Sequence, residues 1–244
     1  PQLGDTTGYQ YTRESNPTRD RLEQLIADLE EGTDALAFSS GMAAVDAVFH
    51  LFSPGDHIIL GDDLYGGSIR MFTNIYEQNG IEFTYVGTSD LDTVKAAFKP
   101  NTKAVYIETP TNPMMEITDI RALCALAHER NALVIIDNTF LSPYFQKPLT
   151  LGADIVVHSG TKFIGGHHDV ISGFTIVKDD ELAAKLRLIY KTVGACLSAM
   201  DSWLVIRGVK TLALRMEQHQ KNAIALAEWL KTQPKVTKVL FPGL

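Results

Sequence analysis

A chain of 244 residues is long enough to bury the core of one large domain. Its 45% apolar and 21% charged content is that of an ordinary soluble globular protein, and a net charge of −7 argues against a nucleic-acid partner, which wants a basic face. No apolar run approaches the roughly eighteen residues of a membrane helix, no signal peptide opens the chain, and Cys124 and Cys196 alone give no disulfide framework, so a cytoplasmic setting is expected.

In chain order, the polar stretch 1–17 is expected to be an extended arm that can lie on a partner subunit. A helix follows, with Thr18 as N-cap, Leu22, Leu25, Ile26 and Leu29 at helical spacing, and Gly32 at its end. Strands are then expected at 35–38, 57–60, 82–86, 104–108, 133–136, 154–158 and 174–177. Helices are expected at 42–52, 68–78, 91–98 and 119–129. Such alternation implies βαβ units, hence an α/β fold with three αβα layers around a mostly parallel seven-stranded sheet. Residues 199–231 read as long helical sequence bridging to a further domain, and 236–240 as the start of a new strand. The expected organisation is an arm (1–17), an α/β domain (18–198), and a long helix opening a C-terminal domain (199–244) of a longer polypeptide.

Two apolar runs end in chemistry. One finishes at Asp137-Asn138-Thr139, the other at Ser159-Gly160-Thr161-Lys162. Ligands of α/β sheets bind beyond the carboxyl ends of parallel strands, so one crevice is expected to receive both. An apolar, partly desolvated pocket favours a neutral lysine amine, the form a Schiff base requires. A buried Asp137 carboxylate needs a cationic or hydrogen-bonding partner. Ser39-Ser40-Gly41-Met42 joins a strand to a helix, where backbone N–H groups bind phosphate, and Ser159 and Thr161 can add hydroxyls. Tyr65, before Gly66-Gly67, can stack on a ring and move protons. Amine, acid, phosphate cradle and ring platform together suit pyridoxal 5′-phosphate (PLP). Taken singly each has a bland reading: a solvated lysine, a capping aspartate, an ordinary βα turn, a packed tyrosine.

Together the segments resemble the cysteine/methionine-metabolism family of PLP enzymes, the cystathionine γ-lyase and β-lyase group of fold type I. The matching stretches are Tyr11 to Thr18, Ser39 to Ala44, Asp63 to Gly67, Glu108 to Pro113, Asp137 to Phe140, His158 to Asp169, and Arg207 to Leu212. The resemblance implies that Lys162 is the Schiff-base lysine and proton carrier, that Asp137 pairs with the ring nitrogen, and that Tyr65 stacks on the ring and assists proton transfer. Asn112 would bond the ring oxygen, and Gly41, Met42, Ser159 and Thr161 would hold the phosphate. Tyr11 and Arg13 match an arm that reaches the neighbouring subunit's phosphate, implying a homotetramer of obligate dimers. The implied activity is elimination from a sulfur amino acid (cystathionine, cysteine or homocysteine), giving thiol, ammonia and a 2-oxo acid.

The sequence departs from that pattern in places. Gly160 stands where alanine is more usual, a change expected to be silent. His168 replaces a smaller or polar residue, and Ser198-Ala199-Met200-Asp201 lacks the proline usual beside the active-site serine. No residue of this chain matches the family's substrate-carboxylate arginine. Gly67, where methionine γ-lyases typically carry cysteine, favours cystathionine or cysteine over methionine; cystathionine γ-synthase shares nearly every motif. Two unrelated readings are weaker. Ser159-x-x-Lys162 fits a penicillin-binding signature but lacks its companion motifs. His158, His167, His168 and Asp169 lack the spacing of a metal site, so no metal is expected. A third reading is a cofactor-binding but inactive assembly module.

Overall fold

A computed structural model describes residues 8–244; residues 1–7, the start of the expected arm, lie outside the described residues. Seven segments pair into one sheet: β1 (Asp34–Phe38), β2 (His57–Gly61), β3 (Glu82–Val86), β4 (Thr102–Glu108), β5 (Leu133–Asp137), β6 (Ile155–Ser159) and β7 (Gly173–Val177). Their order is β1-β7-β6-β5-β4-β2-β3, with every pairing parallel except the two made by β7. All seven expected strands are present, with small shifts at their ends.

Side chains alternate across this sheet, which sorts them into layers. On one face Ile58, Leu60, Tyr106, Ile135 and Val157 pack beneath α2 (Gly41–Phe49), α3 (Gly66–Met71) and, further along the chain, a helix at Asp180–Val193. On the other, Ile59, Val105, Ile107, Val134 and Ile136 meet α4 (Leu91–Ala96) and α5 (Ile120–His128). Beside them Ala35, Ala37, Val156 and Ile176 meet α1 (Pro17–Glu30) and a helix at Ala199–Val209. The three-layer αβα arrangement is the expected one.

Five details differ from the expectation. The N-cap of α1 is Asn16, not Thr18: its Oδ1 accepts the N–H groups of Thr18 and Arg19 at 3.0 and 3.4 Å while Pro17 fills the first turn. The left-handed position after α1 falls to Glu31 (φ 58°); Gly32 is needed because a Cβ there would lie 2.4 Å from Ile176 Cγ2. Past the short α6 (Ser142–Phe145), the helix α7 (Asp180–Val193) was not expected, although Asp179 caps it and Gly194 closes it. The stretch 199–231 forms two helices, α8 (Ala199–Val209) and α9 (Leu212–Lys231), and 236–240 joins no strand. A strand needs a neighbour to take its backbone hydrogen bonds, and among the described residues none is offered there.

Two buried polar sets fasten the elements. Arg19 is fully buried; its Nη2 donates to the carbonyls of Thr12 (2.7 Å) and Arg13 (3.3 Å), and its Nη1 to Leu197 (3.3 Å), which ties residues 12 and 13 to α1. Beneath the strand ends, Glu30 Oε1 lies 2.6 Å from His158 Nε2 and accepts from Asn138 Nδ2 at 2.8 Å. Asn138 also donates to the Gln146 carbonyl, and Gln146 Nε2 to the Thr109 carbonyl. One carboxylate of α1 thereby ties together the ends of β4, β5 and β6. Glu30→Ala removes the partner of His158 Nε2 and one of the two acceptors of the Asn138 amide, and should cost about 3 kcal/mol by denaturant unfolding. A loss below 1 kcal/mol would show that the network carries no weight.

Candidate active site

The carboxyl ends of β1, β2, β4, β5 and β6 open on one edge of the sheet, and each delivers a polar residue. Register sets Glu108 of β4 directly opposite Asp137 of β5. β6 lies next to β5, with Ser159 and then the turn 160–165 beyond it. Asp137 and Lys162 thus leave adjoining strands. The serine of Ser159-x-x-Lys162 ends a strand rather than lying on a helix.

Thr139 joins the two strand ends. Its hydroxyl donates to Asp137 Oδ1 at 2.6 Å and accepts the Ser159 N–H at 2.7 Å, while its own N–H donates to the same Oδ1 at 3.0 Å. The Tyr106 hydroxyl approaches Oδ2 at 3.4 Å. Among the described residues these neutral groups are the hydrogen-bond partners of Asp137, and no cation pairs with it. Burial therefore pushes its carboxyl above the usual range, against the pull of Thr139 and, at longer range, His158. Glu108 is pushed up to about 8, first by burial and then by the Asp137 charge, while its Oε2 accepts the Tyr65 N–H at 3.1 Å. Neither Thr139 nor Glu108 was given a role from the sequence. The signal for Glu108 was a carboxylate ending an apolar strand, the same as for Asp137.

The turn expected to hold phosphate has a defined backbone. Ser40 caps α2, its Oγ accepting the Ala43 N–H at 3.1 Å, which leaves the N–H groups of Gly41 and Met42 without intrahelical partners. A Cβ on Gly41 would lie 2.8 Å from Ser159 Cβ, so only glycine lets this turn close onto Ser159. Gly173 is pressed in the same way against Ser40, 2.1 Å from its carbonyl oxygen if a Cβ were added. Thr161 is placed differently from the others: its hydroxyl donates to the Ser172 carbonyl and accepts the Ser172 N–H, both at 3.1 Å. That closes the loop between β6 and β7 and engages the hydroxyl there.

Lys162 sits in the turn after β6 with its side chain exposed. The exposed side chain lacks the burial that was expected of it. Tyr65 is 50% exposed, over Gly67, where a Cβ would lie 2.3 Å from the ring. Asn112 is exposed in the loop after β4. Tyr11 and Arg13 form a pair, guanidinium over ring at 5.0 Å, in the stretch that Arg19 ties beside Leu197. The structure gives them no hydrogen bond to the expected phosphate turn of their own chain. His167 bonds the Gly165 carbonyl, and among the described residues no three His, Cys, Asp or Glu side chains gather to hold a metal. Ser198 caps α8 through the Asp201 N–H, which fixes that loop without the missing proline.

Gly160 is not the silent change expected of it. A Cβ there would lie 2.3 Å from the Phe174 ring and 2.5 Å from Ser172 Oγ, both buried, so glycine makes room for the aromatic on β7.

The sequence profile of the Cys/Met metabolism PLP-dependent enzymes matches residues 2–244. The chain belongs to that family. It is 52% identical over 242 residues to a cystathionine beta-lyase of Lactococcus lactis subsp. cremoris, covering 99% of this chain and 64% of that protein. It is 50% identical to a cystathionine gamma-lyase of Bacillus subtilis, covering all of this chain and 64% of the relative. The crystal structure of cystathionine gamma-lyase from Lactobacillus plantarum, complexed with L-serine, superposes with a TM-score of 0.97 at 50% identity, covering 100% of this chain and 64% of that one. The chain therefore spans about 64% of the length of these relatives.

The residues present fit the family's cofactor. A half-buried carboxylate lacking a cation among the described residues suits a protonated ring nitrogen, and N–H groups without intrahelical partners at the start of α2 suit a phosphate.

Two expectations follow from this Cys/Met metabolism family site. Glu108 holds its proton to a higher pH folded than unfolded, so its ionisation opposes folding. The cofactor-free protein should lose stability as pH rises from about 4.5 to 8, and Glu108→Gln should flatten part of that slope in thermal melts. An unchanged slope would contradict the assignment. Gly160→Ala should cost about 2 kcal/mol, and clearly less in a Phe174→Leu background. Equal costs in both backgrounds would remove the steric account.

Proposed function

We propose that this chain is the cofactor-binding part of a carbon–sulfur lyase that cleaves cystathionine, cysteine or homocysteine to a thiol, ammonia and a 2-oxo acid. One observation carries the reading: Asp137, a half-buried acid with no cation among the described residues, shares a hydroxyl bridge with the strand end that leads into Lys162. Bound pyridoxal phosphate supplies an electron sink for charge developing on the substrate's α-carbon. The chain's residues do the rest. Lys162 Nζ binds the aldehyde and carries a proton from the α-carbon. Asp137 keeps the ring nitrogen protonated, and Thr139 holds the carboxylate's orientation. The N–H groups of Gly41 and Met42 and the Ser159 hydroxyl bind phosphate, with Thr161 shaping the loop beside them. Asn112 bonds the ring oxygen. Tyr65 lies on the ring and moves a second proton to the leaving sulfur.

Support for cystathionine or cysteine over methionine comes from Gly67. Any side chain there would meet the Tyr65 ring, so glycine leaves the tyrosine free to settle against the backbone and keeps the site roomy. The relatives include a cystathionine gamma-synthase/O-acetylhomoserine (thiol)-lyase of Bacillus subtilis, 48% identical, so replacement at Cγ is the alternative within the class. The exposure of Lys162 favours a second reading for this stretch in isolation: it binds cofactor and turns nothing over until another subunit or domain covers the crevice. We place that cover in a homotetramer of dimers working in the cytoplasm, where Tyr11 and Arg13 reach the neighbouring phosphate and Arg13 grips it bidentately. Exposed Met200, Leu214 and Trp229 on α8 and α9 support burial of that face in the whole protein.

The intact protein loaded with cofactor should release thiol and ammonia from cystathionine, with pyruvate marking β-elimination and 2-oxobutyrate γ-elimination. Asp137→Asn should lower kcat about 100-fold or more. No oxo acid from any sulfur amino acid would overturn the proposal.

A further inference from the structure

We infer that Arg215 is a positioning residue that locks the Lys162 turn against the junction of α8 and α9. Its Nη1 donates to the Phe163 carbonyl at 2.6 Å, one residue past the lysine. Its Nη2 donates to the Gly208 carbonyl at 3.0 Å, and its Nε to Thr211 Oγ1 at 3.0 Å. Among the described residues no carboxylate pairs with it; the guanidinium is spent on carbonyls and one hydroxyl. Burial pushes its pKa down, the mark of a cation held for its donors rather than for an ion pair.

Two glycines make the grip possible. Gly166 has φ +74°, and a Cβ on it would lie 2.2 Å from Arg215 Nη1. A Cβ on Gly208 would lie 2.2 Å from the Gly165 carbonyl oxygen, so the helix backbone rests directly on the turn. The turn is also stitched internally: Gly165 N–H donates to Gly160 O and Gly166 N–H to Lys162 O, both at 2.8 Å. The lysine backbone is thus enclosed in a loop whose outer side Arg215 holds. The stretch Arg207 to Leu212 acquires a physical purpose here: Gly208 and Thr211 are the seat in which Arg215 sits.

This inference rests on Lys162 being the reacting amine. Misplacing such a group by about 1 Å costs on the order of 100-fold in rate. In the intact, cofactor-loaded protein, Arg215→Ala should speed hydrogen exchange across residues 160–166 by roughly tenfold or more. It should lower kcat about 10- to 100-fold with KM within about twofold, and added guanidinium ion should restore part of kcat. Arg215→Lys keeps the charge but not the fork and should fall between; Thr211→Val, which spares both carbonyl bonds, should show a smaller change of the same kind. Unchanged exchange across the turn, in whichever variants fold, overturns the clamp. Lys162→Ala separates the two ideas. It should keep the exchange protection and lose all turnover; surviving turnover would sink the functional reading while leaving the clamp standing.

Discussion

An ionised carboxylate enclosed by protein needs a positive partner, and the described residues offer Asp137 only hydroxyls and a backbone N–H. The rest of the site is arranged around that deficit. A ligand cation at the end of β5, next to the strand that leads into Lys162, would meet that deficit. Glu108 deepens the deficit by placing a second acid opposite the first, and settles it by holding its own proton to about pH 8. On the proposed function this pocket would take one protonated ring nitrogen.

Rigidity is supplied from behind. Glu30 of α1 ties together the polar residues that follow β4, β5 and β6, so the strand ends that carry the acid and the lysine cannot drift independently. Arg215 does the same from the other side of the lysine turn. The two anchors differ: Arg215 is half-buried with a partner for each nitrogen, whereas Glu30 is fully buried, and Glu30 Oε2 and His158 Nδ1 make no hydrogen bond among the described residues. Such groups are costly in stability, and sites tolerate them where geometry must be held within tenths of an ångström.

The sheet was legible because each strand is a short apolar run closed by turn formers, and one-residue alternation sorts its side chains into two layers. Asp137, Lys162, Ser159 and the turn of Gly41 were legible as well, since each sits at the end of such a run. What escaped were facts that depend on neighbours distant in sequence. Nothing near Gly160 reveals that Phe174 crowds it, and nothing near Thr161 reveals that Ser172 claims its hydroxyl. The exposure of Lys162 escaped for the same reason: an apolar strand before a lysine fixes where the backbone goes, not what covers the amine. The helix α7 carries local signals of its own in Asp179, Gly194 and the spacing of Leu182, Leu186 and Tyr190.

On the proposed function, one cofactor joins Lys162 to Asp137 across adjoining strands. Borohydride reduction of the cofactor-loaded protein, followed by peptide mapping, tests it most directly. A stable adduct on the peptide bearing Lys162, formed in full with the native acid and much reduced in Asp137→Asn, is the predicted result. An adduct on another lysine, or none, would contradict the account.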